Sequence, residues 1–245
     1  MLTSGPPGAP AIVFVHGTRL TGSMWTAQQA ALADGFRTIA MDLPAHGALA
    51  AEPFSLDGAA DALSAVIRDQ AGGRAVVVGL SLGGYIAMVL AAREPERVRG
   101  LVLSGATAEP VGLRSPAYLA LATAMDGLPE PTFQRLNSHY FRFRYPPAIA
   151  EPIVAGGFWP RGGAAALRAL IGERFIPRLG AYPGRTLILN GELDLLFRLA
   201  APAFAAGARD AHRIRLTGAT HLANLDRPAA FSEAVRRFAG SLGTD

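Results

Sequence analysis

The sequence holds no cysteine, and its 23 basic side chains are all arginine, because no lysine occurs anywhere in the 245 residues. Without a thiolate there is no disulfide framework, no cysteine nucleophile, no Cys-ligated zinc and no Cys-held iron–sulfur cluster. Without an ε-amine there is no internal Schiff base, no P-loop lysine and no lysine general base. A basic stripe is missing too. The pI near 10.1 reflects guanidinium groups that titrate only at very high pH, since the net charge is just +4. The arginines are scattered, with nothing denser than Arg213/Arg215 or Arg236/Arg237, so no nucleic-acid partner is expected. The opening MLTSGPPGAP has neither a basic n-region nor an apolar h-region. No apolar run approaches the ~18 residues that a membrane span needs. A cytoplasmic protein without a membrane partner is the expectation.

What is present suits one sizeable core: half the residues are hydrophobic, with 28 glycines and 18 prolines. Short apolar runs alternate with longer helix-like stretches, the mark of a parallel sheet covered on both faces. The strand candidates are Ala11–His16, Thr38–Asp42, Ala75–Gly79, Leu101–Ser104, Thr186–Asn190 and His212–Leu216. Helices are predicted over Thr21–Ala33, Ser55–Gln70, Leu82–Arg93, Ala200–Ala208 and Arg227–Ser241. In the second of these, Leu56, Ala60, Leu63 and Ile67 recur at helical spacing while Asp57, Asp61 and Arg68 turn outward. The rhythm breaks once. Residues 105–184 separate the fourth and fifth strands, far more than the dozen or so residues of a plain crossover. Rich in Pro, Gly and aromatics, the segment reads as an inserted helical cap over a core of residues 1–104 and 185–245.

Gly79-Leu80-Ser81-Leu82-Gly83-Gly84 stands directly after the buried run AVVVG and directly before a helix. In such a G-x-S-x-G turn the serine is held in a strained bend, and the flanking glycines remove Cβ atoms that would clash. The helix that follows points its N-terminal dipole and free N–H groups at the place where an oxyanion would form. Taken alone the motif also fits an ordinary glycine-rich turn; the strand before and the helix after it favour a nucleophile at Ser81.

His16-Gly17-Thr18 ends the first predicted strand. With the serine turn, this pair of features resembles the α/β-hydrolase family, in which an H-G pair opens the loop that donates the second oxyanion hydrogen bond. The resemblance implies an α/β-hydrolase fold, and backbone donors at Thr18 and at Leu82. It leaves the His16 side chain a structural role, bonding a loop carbonyl. It also implies an acid after a later strand and a histidine near the C-terminus. Asp194, in LILNGELD, and His221, in GATHLANLDRPAAF, stand there. Glu192 and Glu109 compete for the acid's place; the G-x-x-D spacing favours Asp194. Around the histidine the family's G-H-x-x-x-x-E-x-P pattern is changed to Ala219-Thr220-His221 and Asp226-Arg227-Pro228.

The activity implied is a carboxylic ester or lactone hydrolase working through an acyl-enzyme on Ser81, with Asp194 and His221 completing a triad and with no cofactor or metal. Dehalogenases and epoxide hydrolases of this fold carry an aspartate where Ser81 stands, and its hydroxynitrile lyases need a lysine. An acyltransferase, a carbon–carbon bond hydrolase or a ligand receptor with little turnover remain as alternatives. Phe141, Phe158 and Trp159 are the aromatic candidates for contact with a small-molecule substrate. Only ten residues precede Ala11, too few for the family's usual opening hairpin, so about six parallel strands are expected. The exposed edge at Thr38–Asp42 then needs cover from the N-terminal segment or from a second copy in a homodimer.

Overall fold

The computed structural model of the chain describes residues 1–243. Seven strands form one sheet: β1 (Leu2–Ser4), β2 (Ala11–Val15), β3 (Arg37–Met41), β4 (Ala75–Leu80), β5 (Val98–Ser104), β6 (Arg185–Gly191) and β7 (Asp210–Leu216). Their order across the sheet is β1-β3-β2-β4-β5-β6-β7. Strands β2 to β7 are parallel, and β2, β4 and β5 are almost wholly buried, as their continuous apolar runs require.

The helices are α1 (Thr26–Leu32), α2 (Leu56–Gln70), α3 (Leu82–Arg93), α4 (Ser115–Asp126), α5 (Glu130–Arg144), α6 (Pro147–Gly156), α7 (Pro160–Leu170), α8 (Ile176–Ala181), α9 (Leu195–Gly207), α10 (Ala223–Asp226) and α11 (Pro228–Gly240). Helix α1 packs with α11, and α3 packs with α2 and α8, which makes two groups for the two faces of the sheet. Ser55 caps α2, its hydroxyl accepting the Gly58 N–H at 3.0 Å. The amphipathic pattern read for that helix holds, with Ala60, Leu63 and Ile67 buried. Helix α3 is buried from Leu82 to Ala91, so it lies at the centre of the molecule. In the α1 and α11 group, Phe14 and Phe231 close on Trp25, with ring centroids 4.9 and 5.8 Å away.

Two details are added to the expected architecture. The sheet is mostly parallel, with seven strands where about six were expected: Leu2, Thr3 and Ser4 pair antiparallel with Ala40, Ile39 and Thr38. One short strand stands where a hairpin is usual, and it occupies the β3 edge that the sequence left open. Gln29 secures it by donating to the Leu2 carbonyl at 3.0 Å. Of the five helices between β5 and β6, α8 packs on α3 beside the sheet, and Tyr182 just after it donates to the Val98 carbonyl at 3.0 Å. Helices α4 to α7 precede α8, α4 packed on α7 and α5 on α6.

Candidate active site

The nucleophile, acid and histidines read from the sequence lie past the C-terminal ends of parallel strands: His16 after β2, Ser81 after β4, Asp194 after β6 and His221 after β7. In open α/β sheets that is the edge where ligands gather, because loops leaving neighbouring strands converge there.

Ser81 joins β4 to α3 with φ 53° and ψ −117°. Positive φ is costly for a residue with a side chain, so the surroundings must impose it. They do so through glycine: a Cβ on Gly79 would run into the backbone of Gly83 and Gly84, and one on Gly83 into the Val15 carbonyl. The Ser81 N–H donates to the Ser104 carbonyl at 2.7 Å, and its own carbonyl accepts from Gly84 N at 2.9 Å, starting the helix. Leu82 is therefore the first residue of α3, where a backbone N–H has no partner within the helix.

Asp194 accepts the hydrogen bond of His221 Nδ1 at 2.9 Å. The carboxylate is buried and the imidazole half-buried, and Phe197 lies against the ring with centroids 4.8 Å apart. The two competing acids are occupied elsewhere. Glu192 accepts the Gly218 N–H at 2.9 Å, and Glu109 accepts the N–H groups of Phe175 and Ile176 at 2.8 Å each, at the start of α8.

Three residues to which the sequence reading gave no role surround this pair. Gly105, at φ 56°, leaves β5 so close to the imidazole that a Cβ there would come within 2.7 Å of His221 Cε1 and 2.8 Å of Nδ1. Asn190 accepts the Gly105 N–H at 3.0 Å and donates to Thr107 Oγ1 at 3.0 Å, tying β6 to that turn. Asp226 accepts from the backbone N–H of Thr220 at 2.7 Å, from Arg144 at 2.7 Å and from the Tyr145 hydroxyl at 3.1 Å. It thus fastens the loop before His221 to α5, and beside this carboxylate the Tyr145 hydroxyl, already desolvated, is held above its ordinary pKa. Proximity of His221 to the end of β5 was implicit in the topology, but no local pattern marks Gly105.

His16 has the structural role expected of it. Its Nε2 accepts the Leu43 N–H at 2.9 Å, which puts the ring proton on Nδ1, 2.9 Å from the Gly17 carbonyl that receives it. Burial, with the neighbouring His46 adding to it, pushes the pKa of His16 down to about 3.

Ser81, His221 and Thr18 line one cavity of about 420 Å³, together with Tyr85, Tyr118, Tyr140 and several leucines from α4, α7 and α9. Leu82 lies beneath this surface, fully buried. The aromatic candidates are corrected here. Phe141 and Phe158 are fully buried and stack at 5.4 Å between centroids, forming the small core that joins α5 to the end of α6. Trp159 borders a different cavity, beside Pro160 and Glu130. The tyrosines that do reach the space come from α3, α4 and α5, brought together only by tertiary packing. Among the described residues no three His, Asp or Glu side chains converge as a metal site requires, and no helix is long and apolar enough to cross a membrane.

The model of the alpha/beta hydrolase family matches residues 12–234. A pimeloyl-acyl-carrier-protein methyl ester esterase of Chromobacterium violaceum is 32% identical over 215 residues, which are 82% of this chain and 76% of that protein. The 3-oxoadipate enol-lactonase 1 of Acinetobacter baylyi is 25% identical over 98% of this chain and 92% of its own length. In four further curated relatives, 35% to 40% identical, the match spans only 36% to 46% of the relative. A thermophilic esterase of Thermogutta terrifontis superposes with a TM-score of 0.82 at 24% identity, over 99% of this chain and 93% of that one.

Proposed function

The chain belongs to the alpha/beta hydrolase family, and from its geometry we propose that it hydrolyses a carboxylic ester or lactone through an acyl-enzyme on Ser81. A serine hydroxyl is a poor nucleophile near neutral pH, so it needs a base that takes its proton as the bond to the carbonyl carbon forms. His221 is that base. With Nδ1 committed to Asp194, the ring presents Nε2 as the acceptor, and the carboxylate stabilises the imidazolium that forms.

The tetrahedral intermediate carries its negative charge on the former carbonyl oxygen. The backbone N–H groups of Thr18 and Leu82 receive that charge, with the N-terminal dipole of α3 behind the second. His221 then passes its proton to the departing alkoxide and the Ser81 ester remains. Water attacks this ester with His221 again as base, releasing the acid and restoring the serine. Helices α4 to α7 act as the cap that shapes the acyl site, and their leucines favour an apolar stretch in the substrate. The names of the relatives support this reading, since they include methyl ester esterases and an enol-lactonase.

The observation that carries the proposal is the Asp194–His221 hydrogen bond in a cavity shared with a serine held at positive φ in front of a helix. Its test is steady-state turnover of p-nitrophenyl esters. Ser81→Ala and His221→Ala should each lose about a thousandfold or more in kcat, and by similar factors, because triad members act as a unit. Sustained multiple turnovers by the unaltered protein separate an enzyme from a receptor. Near-normal kcat in Ser81→Ala would refute the proposal.

A further inference from the structure

Arg19 is the charged side chain of the cavity wall, and the proposed mechanism leaves it without a task. It lies in the loop after β2, next to Thr18, and lines the same cavity as Ser81. Its Nε donates to Asn137 Oδ1 at 3.0 Å. The Asn137 amide is itself oriented, because its Nδ2 donates to the Phe133 carbonyl at 2.8 Å within α5. Among the described residues no carboxylate pairs with Arg19, and Nη1 and Nη2 have no hydrogen-bond partner. Some arginines elsewhere do pair with carboxylates, Arg93 with Asp57 and Asp61 and Arg142 with Glu151; what sets Arg19 apart is that its unpaired fork faces the cavity shared with Ser81. Desolvation holds Arg19 below its ordinary pKa, and the only group opposing this is the Tyr140 phenol. A guanidinium stays charged regardless, so the site keeps a positive charge with no counter-ion.

The backbone that carries the side chain is also fixed in place. Arg19 has φ 62°, a strained value for so large a residue. Its carbonyl accepts the Trp159 N–H at 2.9 Å. Helix α7 presses on the loop through Gly163, where a Cβ would meet Thr18 Cγ2 at 3.1 Å and Arg19 N at 3.3 Å. Desolvating a cation and straining its backbone are both unfavourable, and they persist where a ligand makes use of them.

We infer that Arg19 receives a carboxylate carried on the acyl part of the substrate, so that the substrate class is the half-ester or lactone of a dicarboxylic acid. The inference rests on the hydrolase reading of Ser81. With Nε held by Asn137, the two terminal nitrogens form the end-on fork that matches a carboxylate in a bidentate pair. The acyl side is assigned by sheet order. The leaving group must face His221, which protonates it, and His221 follows β7; Arg19 follows β2, on the opposite side of the nucleophile's strand β4. An acyl chain directed away from His221 therefore extends toward Arg19.

The test compares mono-p-nitrophenyl succinate, glutarate and adipate with the methyl-terminated p-nitrophenyl esters of matching length. For at least one length, the unaltered protein should favour the acid-bearing ester in kcat/KM by about 10- to 100-fold, the worth of one charge-assisted pair. Arg19→Met should bring that ratio to about one, and Arg19→Lys should restore part of it. An unchanged ratio in Arg19→Met, or preference for the neutral ester at every length, would overturn the inference. Calorimetric titration of glutarate and adipate into Ser81→Ala, with and without Arg19→Met, reads the subsite without catalysis. If no ester turns over, the hydrolase reading fails, while binding abolished by Arg19→Met still supports the subsite and equal binding refutes it. Matching melting temperatures of the variants exclude misfolding, with Arg19→Gln as the second neutral variant.

Discussion

At φ 53° Ser81 occupies backbone space that glycine would enter freely and serine enters at a cost. Its sequence signature was plain because the strain must be accommodated locally, by glycines two residues before and after. Gly105 is the contrary case. It is demanded by an imidazole 116 positions away in the chain, so nothing in Ser104-Gly105-Ala106 announces it. An alanine there would keep φ 56° unfavourable and press its methyl on His221, 2.7 Å from Cε1. Gly105→Ala should therefore fold, melt a few degrees lower, and lose about 10- to 100-fold in kcat/KM, as a displacement of about 1 Å in a catalytic group does. Kinetics with a thermal melt check this, and wild-type kcat/KM would show that the contact does not position His221. Asp194 was legible from its spacing, yet its preference over Glu192 and Glu109 became visible only in the hydrogen bonds that occupy the other two.

The central strands could be read because β2, β4, β5 and β6 hold continuous apolar runs with their own local signal, and β2, β4 and β6 begin or end within about a residue of the expected bounds. Strand β1 escaped for a physical reason. Three residues, two of them exposed, carry no periodicity, and what makes Leu2–Ser4 a strand is the free edge of β3. The cap was legible as an interruption only. Its helices carry prolines in their first turns and pack on one another, so which faces meet could not be read locally. Phe141 and Phe158 looked like ligand contacts for being aromatic residues of the inserted cap. They became the cap's own core, because α5 and the end of α6 have little else to bury between them. The pair Gly162–Gly163 shows the same dependence, since it lets α7 lie against the Ala45 carbonyl and the Thr18–Arg19 loop.

For the whole molecule, two buried histidines make stability depend on pH. His16 binds a proton in the folded state only near pH 3, against 6.5 when exposed, and burial lowers His46 in the same direction. Between those values the unfolded chain binds more protons, so stability is full above about pH 6.5 and falls as pH drops toward 3. Urea unfolding at pH 7 and pH 4 should show a lower midpoint at pH 4, with a smaller drop in His16→Asn; equal midpoints for the unaltered protein would contradict it. The lysine-free, arginine-bearing surface pairs about half of its arginines with nearby carboxylates, and among the described residues Arg19 at the cavity has no such partner. All of this converges on the reactivity of one hydroxyl. Treatment with a fluorophosphonate followed by peptide mass spectrometry reads it directly. The account predicts a single adduct on Ser81 that is lost in His221→Ala; an unlabelled Ser81, or labelling indifferent to His221, would contradict it.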